Sequence, residues 1–279
     1  MKEKINIAII GHGYVGKAVD YGFNNNKVIK YIIDPIYKND LKDLDGKDID
    51  LAFVCVPTPF GKNGEIDSSI VESVVTDLSK FACPIVIKST VTPDIVNKLY
   101  YTNKFVVYNP EFLTEKNALD DFINPPMHVF GGWRNITNKV QEYYENHSNC
   151  KPCPVFHMTA KEASFVKYGI NSFLATKVLW MNHFKDIVDD MGCNYNKIIN
   201  AIGTDIRVGP SHTQVPGPEG KRGFGGACFP KDTQAFANFA TPAFTVLEEV
   251  IKQNNSYRSE YELDDREKEQ KVVYIQKEM

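Results

Sequence analysis

Ile5-Asn6-Ile7-Ala8-Ile9-Ile10-Gly11-His12-Gly13-Tyr14-Val15-Gly16 is an apolar run of strand length that breaks into glycines spaced Gly-x-Gly-x-x-Gly. A buried strand turning on glycine into a helix is how a dinucleotide-binding unit opens. The three glycines permit a tight turn, close approach of backbone to a pyrophosphate and close helix–strand packing, and the helix N-terminus favours the negative charge. Glycine triplets also occur in plain structural turns, so context decides. Here a second strand, Val28 to Ile33, ends at Asp34, whose carboxylate can accept hydrogen bonds from ribose hydroxyls. An acid in that place favours NAD over NADP, because it repels a 2′-phosphate.

The strand–helix alternation continues outward from this unit. Ile49 to Val56 reads as a strand ending in Pro57-Thr58-Pro59, Asp67 to Lys80 as a helix, and Pro84 to Lys88 as a strand ending in Ser89-Thr90. Phe105 to Tyr108 and His128 to Phe130 supply two more strands. Short buried strands alternating with helices predict an α/β fold, a Rossmann-type doubly wound parallel sheet. From Thr159 to Met191 the spacing of Phe165, Tyr168, Phe173, Leu174, Val178 and Met181 becomes helical, with Gly192 suited to end the helix. Asn196 to Ile202 reads as a shorter helix, Gly203 to Gly226 as a loop, and Thr233 to about Ser259 as a last helix. The expected domains are 1–158 for NAD binding, 159–258 as an all-α central domain carrying the Cys228 loop, and 259–279 as a polar tail.

The 279 residues carry a formal charge of -3, which gives no reason to expect nucleic acid or an acidic membrane as partner. No apolar run reaches membrane-spanning length, and the N-terminus runs into a strand without a signal-peptide pattern. Six cysteines are scattered apart from Cys150 and Cys153, which suits a reducing, cytoplasmic setting better than a disulfide framework. Cys150-Lys151-Pro152-Cys153, flanked by His147 and His157, raises zinc or thiol redox. With no second pair and a strand-like Cys153 to His157, incidental cysteines are the favoured reading and no metal site is expected.

Three further windows carry chemistry. Gly223-Phe224-Gly225-Gly226-Ala227-Cys228-Phe229-Pro230-Lys231-Asp232 puts a cysteine after a glycine run with a lysine and an aspartate close by, an arrangement for a nucleophilic thiol and equally for a glycine turn with a buried cysteine. Asn109-Pro110-Glu111-Phe112-Leu113-Thr114-Glu115 places two carboxylates after a strand, either in a ligand site or in the first turn of a helix. Lys167 and Asn171 stand four apart and so share one helix face; a lysine there more often snorkels than reacts.

Taken in order, these windows resemble the UDP-glucose/GDP-mannose dehydrogenase family, and most closely its UDP-glucose 6-dehydrogenase-like members. The resemblance runs through the Gly11–Gly16 window, Val56-Pro57-Thr58-Pro59, Lys88-Ser89-Thr90-Val91, Asn109 to Leu113, Lys167-Tyr168 with Asn171 and Phe173-Leu174-Ala175, Arg207-Val208-Gly209, and Gly223 to Asp232. It covers about the first 255 residues. It implies oxidation of the C6 alcohol of a nucleotide-linked hexose to a carboxylate with two NAD and one water, UDP-glucose to UDP-glucuronate being the leading case.

The same resemblance implies roles. Cys228 attacks the aldehyde formed first, giving a thiohemiacetal and then a thioester. Lys167 and Asn171 stabilise the oxyanion, Asp232 organises the water or lysine, Glu111 assists thioester hydrolysis, and Thr90 lies with the water and cofactor. Gly11, Gly13, Tyr14, Val15, Gly16, Asp34, Thr58, Thr90 and Lys231 are implied for NAD. Phe112, Leu113, Glu115, Lys167, Asn171, Phe224 and Gly225 are implied for the nucleotide sugar, and Arg207 for the substrate of a neighbouring subunit. A homodimer through the central helices follows from the last of these.

The family's third, UDP-binding domain has no counterpart in this sequence, so a separate chain supplying it is one expectation. Lys221 and Arg222, in the loop before the glycines, are either substitute diphosphate ligands or a solvated basic loop. A non-catalytic NAD- or sugar-nucleotide-binding protein is the alternative function. The retained Cys228, Lys231, Asp232, Lys167, Asn171 and Glu111 speak against it. A two-electron hydroxyacid-type dehydrogenase is the third reading, and it has no use for the cysteine.

Overall fold

The computed structural model describes residues 2–61, 64–114 and 116–274, and it divides into two compact units. The first comprises Met1–Thr58 with Asp67–Lys167. Its centre is a seven-stranded sheet of β1 (Ile5–Ile10), β2 (Val28–Ile33), β3 (Leu51–Val54), β4 (Ile85–Ile87), β5 (Val106–Tyr108), β6 (His128–Gly132) and β7 (Val155–Met158), in the order β2-β1-β3-β4-β5-β6-β7. Helices α1 (Tyr14–Gly22), α2 (Ser69–Leu78), α3 (Pro93–Thr102), α4 (Ala118–Ile123) and α5 (Arg134–His147) join the strands.

Alternation along the strands divides the apolar residues between two layers, as a doubly wound sheet requires. Ile5, Ile7 and Ile9 of β1 belong to a core with Val19, Phe23, Phe53 and Tyr144. Ala8 and Ile10 belong to the opposite core, with Val71, Leu78, Val96 and Leu99. The sheet is mostly parallel. The exception is β6, which pairs antiparallel with β5 (Val107 opposite Gly132, Tyr108 opposite Gly131), while β7 then runs parallel to β6. Strand direction leaves no trace in a run of buried residues; what the pairing does require is glycine, since a Cβ on Gly132 would lie 2.9 Å from the Val106 carbonyl oxygen.

The second unit comprises Pro59–Ile66 and Tyr168–Met279. Its helices are the later part of α6 (Ala160–Asp190), then α7 (Tyr195–Thr204), α8 (Phe229–Ala240), α9 (Thr245–Arg258) and the short α10 (Asp265–Glu269). The short arm at 59–66 pairs Phe60 with Ile66, and the Phe60 amide donates to the Gln270 carbonyl.

Two expectations change here. The helix read from Thr233 to about Ser259 is two helices, because Pro242 has no N–H and Thr241 before it is extended at φ -59°, ψ 136°. The first of the two also starts earlier, at Phe229, since Pro230 sits in the opening turn where a missing donor is harmless. The segment read as a polar tail is folded through Tyr274: an Asp264/Glu267 capping box starts α10, and Val272 is buried.

Candidate active site

In the first unit the candidate residues gather at the carboxyl ends of the parallel strands, the ligand-binding edge of an open α/β sheet. Gly11 ends β1 at φ +87°, where a Cβ would stand 2.6 Å from the Cys55 carbonyl oxygen. A Cβ on Gly16 would stand 2.0 Å from the Gly11 carbonyl oxygen, so both glycines are demanded by the fold itself. Gly13 differs. A Cβ there meets nothing within 4 Å, and its φ is an ordinary -74°. Tyr14 and Val15 form the first turn of α1.

Asp34, beyond β2, accepts from the His12 amide (2.6 Å) and from the Ile36 amide (2.9 Å), one through each carboxylate oxygen. Burial works against its charge, yet those two amides hold its carboxyl below the usual range. It is therefore an anion with acceptor capacity remaining, since each carboxylate oxygen accepts more than one bond. These residues fit NAD: a backbone cradle open at Gly13 and an ionised acid at the second strand.

That difference between glycines yields a prediction. Gly13→Ala is expected to leave the melting temperature within about 1 °C, since no contact is disturbed, while weakening NAD binding about tenfold or more. Gly16→Ala is expected to destabilise the unit outright. Thermal melts with and without NAD, and titration of NAD, separate the two effects.

Thr58 follows β3 and is buried; Thr90 follows β4, beside Ser89, whose hydroxyl donates to the Val56 carbonyl (2.7 Å). Glu111 follows β5. Its carboxylate lies 2.8 Å from the Lys167 ammonium, which also donates to the Glu111 carbonyl oxygen at 2.7 Å. Both side chains are buried, at 7% and 4% exposure. Burial alone would push the Glu111 carboxyl up, but Lys167, the Leu113 amide and the Lys88 charge together hold it below the usual range. The Lys167 ammonium also lies over the Phe112 ring, 5.7 Å from its centroid. Leu113 donates its amide to the second Glu111 oxygen (2.7 Å). Glu115 lies outside the described residues.

Lys88 has a place that sequence reading did not assign. It is buried and donates to Asn109 Oδ1 (3.0 Å), which also accepts from the Tyr144 hydroxyl (2.8 Å). Burial pushes its ammonium down to about 8. A small cavity of about 30 Å³ adjoins it, lined also by Glu111, Phe112, His128 and Tyr144. The signal in the sequence was a lysine closing an apolar strand, a place where such a side chain commonly snorkels to water.

In the second unit Cys228 is the N-cap residue of α8 and is half-buried. One turn on, Asp232 is 1% exposed and accepts from Lys231 Nζ (2.6 Å) and from the Asn171 side-chain amide (2.6 Å). Residues three and four beyond a cap lie over it on the same helix face, so thiol, lysine and aspartate ride on one rigid turn. Phe224 is held at both ends by Asn254, whose amide group accepts from the Phe224 N–H (2.7 Å) and donates to its carbonyl (3.0 Å). Arg207 stands apart from this cluster. It is 85% exposed and pairs with Asp205, while Lys177 ties the following carbonyls of Val208 and Gly209.

Lys221 and Arg222 are both part-exposed and are engaged within the unit. Lys221 donates to the Glu262 carbonyl, and Arg222 pairs with Asp186 (2.7 Å) and lies 4.5 Å from the Tyr257 ring centroid. Around the C-x-x-C pair, Cys150 Sγ donates to the Phe122 carbonyl, His147 contacts the Lys2 carbonyl, and His157 bonds Thr137 and Gln141. Among the described residues no three of His, Cys, Asp and Glu converge as metal ligands, and no helix is long and apolar enough to cross a membrane.

Residues 37–148 match the NAD binding domain of the UDP-glucose/GDP-mannose dehydrogenase family, and residues 161–256 match that family's central domain. The chain belongs to the UDP-glucose/GDP-mannose dehydrogenase family. It is 29% identical over 299 residues to UDP-glucose 6-dehydrogenase TuaD of Bacillus subtilis, covering 90% of this chain and 63% of that protein. It is 34% identical over 226 residues to UDP-glucose 6-dehydrogenase of Rickettsia bellii, covering 75% and 50%. Among solved structures, a UDP-glucose dehydrogenase from Pyrobaculum islandicum superposes with a TM-score of 0.75 at 25% identity, covering 91% of this chain and 68% of that one. The chain thus spans 63% and 50% of the two curated relatives' length, and the family's NAD-binding and central domains account for its two matched segments.

Proposed function

We propose that this family member oxidises the C6 alcohol of a nucleotide sugar to the uronic acid, UDP-glucose being the favoured substrate, through a thioester on Cys228. The observation that carries the proposal is the first turn of α8: a half-buried thiol at the cap, with Lys231 and Asp232 behind it and Asn171 bonded to Asp232. A plain two-electron dehydrogenase needs no such thiol. A binding module gains nothing from an ion pair as deeply buried as Lys167–Glu111, which is costly to desolvate.

NAD, when bound, takes up the hydride released at each oxidation. The chain's own groups do the rest. Loss of a hydride and a proton from the C6 alcohol leaves an aldehyde, and the Cys228 sulfur adds to its carbon. Loss of a second hydride and proton turns the thiohemiacetal into a thioester, and water then releases the carboxylate and the thiol. Lys167 and Asn171 are assigned to the C6 oxygen as it gains charge, because ammonium and amide N–H groups donate there. Asp232 keeps the Asn171 amide turned with nitrogen toward itself. Glu111, kept ionised, serves as the base for the hydrolytic water. Thr90, beyond β4, is assigned to that water, and Thr58 and Lys231 to the cofactor. Phe112, Leu113, Phe224, Gly225 and Glu115 are assigned to the sugar nucleotide.

A homodimer completes the reading. Along α6, Phe173, Trp180 and Ile187 recur every seven residues and are exposed at 68%, 54% and 63%, an apolar stripe with the spacing of a helix-pairing seam. Arg207 is assigned to the partner's substrate, and sedimentation of the full chain at micromolar concentration reads the oligomeric state. The nucleotide-recognising domain that the family resemblance implies is assigned to a separate chain.

The test is stoichiometric. Purified protein with NAD and a panel of nucleotide sugars is expected to form two NADH per sugar consumed. One per sugar sinks the thioester route in favour of a two-electron dehydrogenase. No NADH with any sugar, while NAD still binds, favours the binding module.

A further inference from the structure

The glycine run before Cys228 is gripped from one side by α9 and from the other by the segment after it. Gly226, at φ +79°, donates its amide to Glu267 Oε1 at 3.1 Å. The same oxygen accepts from Arg258 (2.7 Å) and from the Tyr274 hydroxyl (2.7 Å), and the other carboxylate oxygen accepts from the Asp264 amide (2.9 Å). Glu267 is 0% exposed and Arg258 1%. The fit is close enough to exclude a side chain: a Cβ on Gly225 would stand 2.2 Å from the Arg258 guanidinium and 2.6 Å from Glu267 Oε1. Gly223, at φ +72°, is closed in the same way by Asn254.

A buried carboxylate and guanidinium gain little stability over apolar residues of the same size. Their use is geometric. One carboxylate accepts from a loop amide, a guanidinium and a phenol together, so it fixes α9, the glycine run and the chain after α10 at a single point. No apolar side chain can do that. The segment is anchored further by Val272, which is buried, by the Gln270 carbonyl accepting from Phe60, and by the Glu262 carbonyl accepting from Lys221.

We propose that the segment Asp264–Tyr274 is a clasp on the glycine run, and that Glu267 is a positioning residue for the Cys228 thiol, acting through the Gly226 amide two residues before it. This rests on the reading of Cys228 as nucleophile. The site gains a fixed thiol direction, because a run of glycines left to itself samples many backbone conformations and would carry the sulfur with it. The clasp is built from a part of the chain outside the residues that match the family's central domain, which end at 256.

The experiment reads the loop directly and needs no turnover. Hydrogen exchange of the 223–228 amides and peptide-resolved alkylation of Cys228 by iodoacetamide are followed in the full chain and in Glu267→Ala. A control, Val188→Ala, thins a separate apolar cluster of the same unit formed with Met181, Tyr195 and Ile199. Glu267→Ala is expected to speed both processes about tenfold, the effect of a lost charge-assisted hydrogen bond on local opening. Val188→Ala is expected to leave both within about twofold at a comparable loss of melting temperature. If Glu267→Ala fails to fold, Glu267→Gln, which keeps an oxygen for Gly226 but loses the charge facing Arg258, is expected to show the same acceleration to a smaller degree. Unchanged exchange and alkylation in the glutamate variants, or equal acceleration in the valine control, overturns the clasp. Failure of every nucleotide sugar to reduce NAD would overturn the dehydrogenase reading while leaving this result standing.

Discussion

Replacing Cys228 by serine is expected to leave the chain able to reduce NAD once per sugar but not twice. The first oxidation removes a hydride from an alcohol and needs a base, not a thiol. The second needs a covalent adduct that holds the aldehyde carbon, and a serine hydroxyl is a far weaker nucleophile than a thiolate at neutral pH. Steady-state formation of uronic acid should fall by about 10³-fold or more, the scale of losing a covalent nucleophile. In single turnover, NADH per sugar should drop from two toward one. NAD affinity should stay unchanged, since the substitution touches neither the Gly13 cradle nor the Asp34 carboxylate with its His12 and Ile36 amides. Rapid-quench measurement of NADH and uronic acid checks this, and a serine variant forming two NADH at the parent rate would refute the thioester.

The second large effect concerns Lys167. Lys167→Met is expected to destabilise the first unit by about 3–5 kcal/mol, because it strands the Glu111 carboxylate in a buried place without its counter-charge. Adding Glu111→Gln should restore much of the loss, as removal of both charges is far milder than removal of one. Activity should be lost in the single and the double variant alike. Urea melts of the four proteins form the cycle. The pH dependence has a definite sign. Glu111 has its folded carboxyl held below the ordinary value of about 4.5, so its contribution is fully present above that pH and lost as pH falls through the lower folded value. The parent should therefore lose stability on acidification below about pH 4.5 more steeply than Glu111→Gln. Parallel acid curves would show that the pair contributes nothing.

The residues that announced the fold are those whose role is local. Gly11 and Gly16 sit where only glycine fits, Asp34 ends its strand, and the apolar strands alternate between two cores, so period and punctuation reveal them. β6 gave no warning of its reversed direction, because burial on both faces erases the pattern that orientation would leave. The site was legible to the extent that its residues come in short runs: Cys228, Lys231 and Asp232 share one helical turn. The Lys167–Glu111 pair joins residues 56 positions apart, and nothing in either window marks the other as its partner. Nothing in the window around Lys88 marks it as buried, because the groups that meet it there, Asn109 and behind it Tyr144, lie far along the chain. Glu267 was hidden most completely. In a stretch of charged residues it reads as solvated, and only the folded chain shows the guanidinium and the loop amide that make its burial tolerable.

The arm at 59–66 has a consequence for synthesis. It leaves the ribosome between two segments of the first unit, yet its pairing partner, the Gln270 carbonyl, follows about 210 residues later. At ordinary translation speeds that is a wait of about 10–40 s. Throughout it the first unit has all its strands to complete its sheet, while the arm has only its own Phe60–Ile66 pairing and the second unit still lacks the residues that close on it.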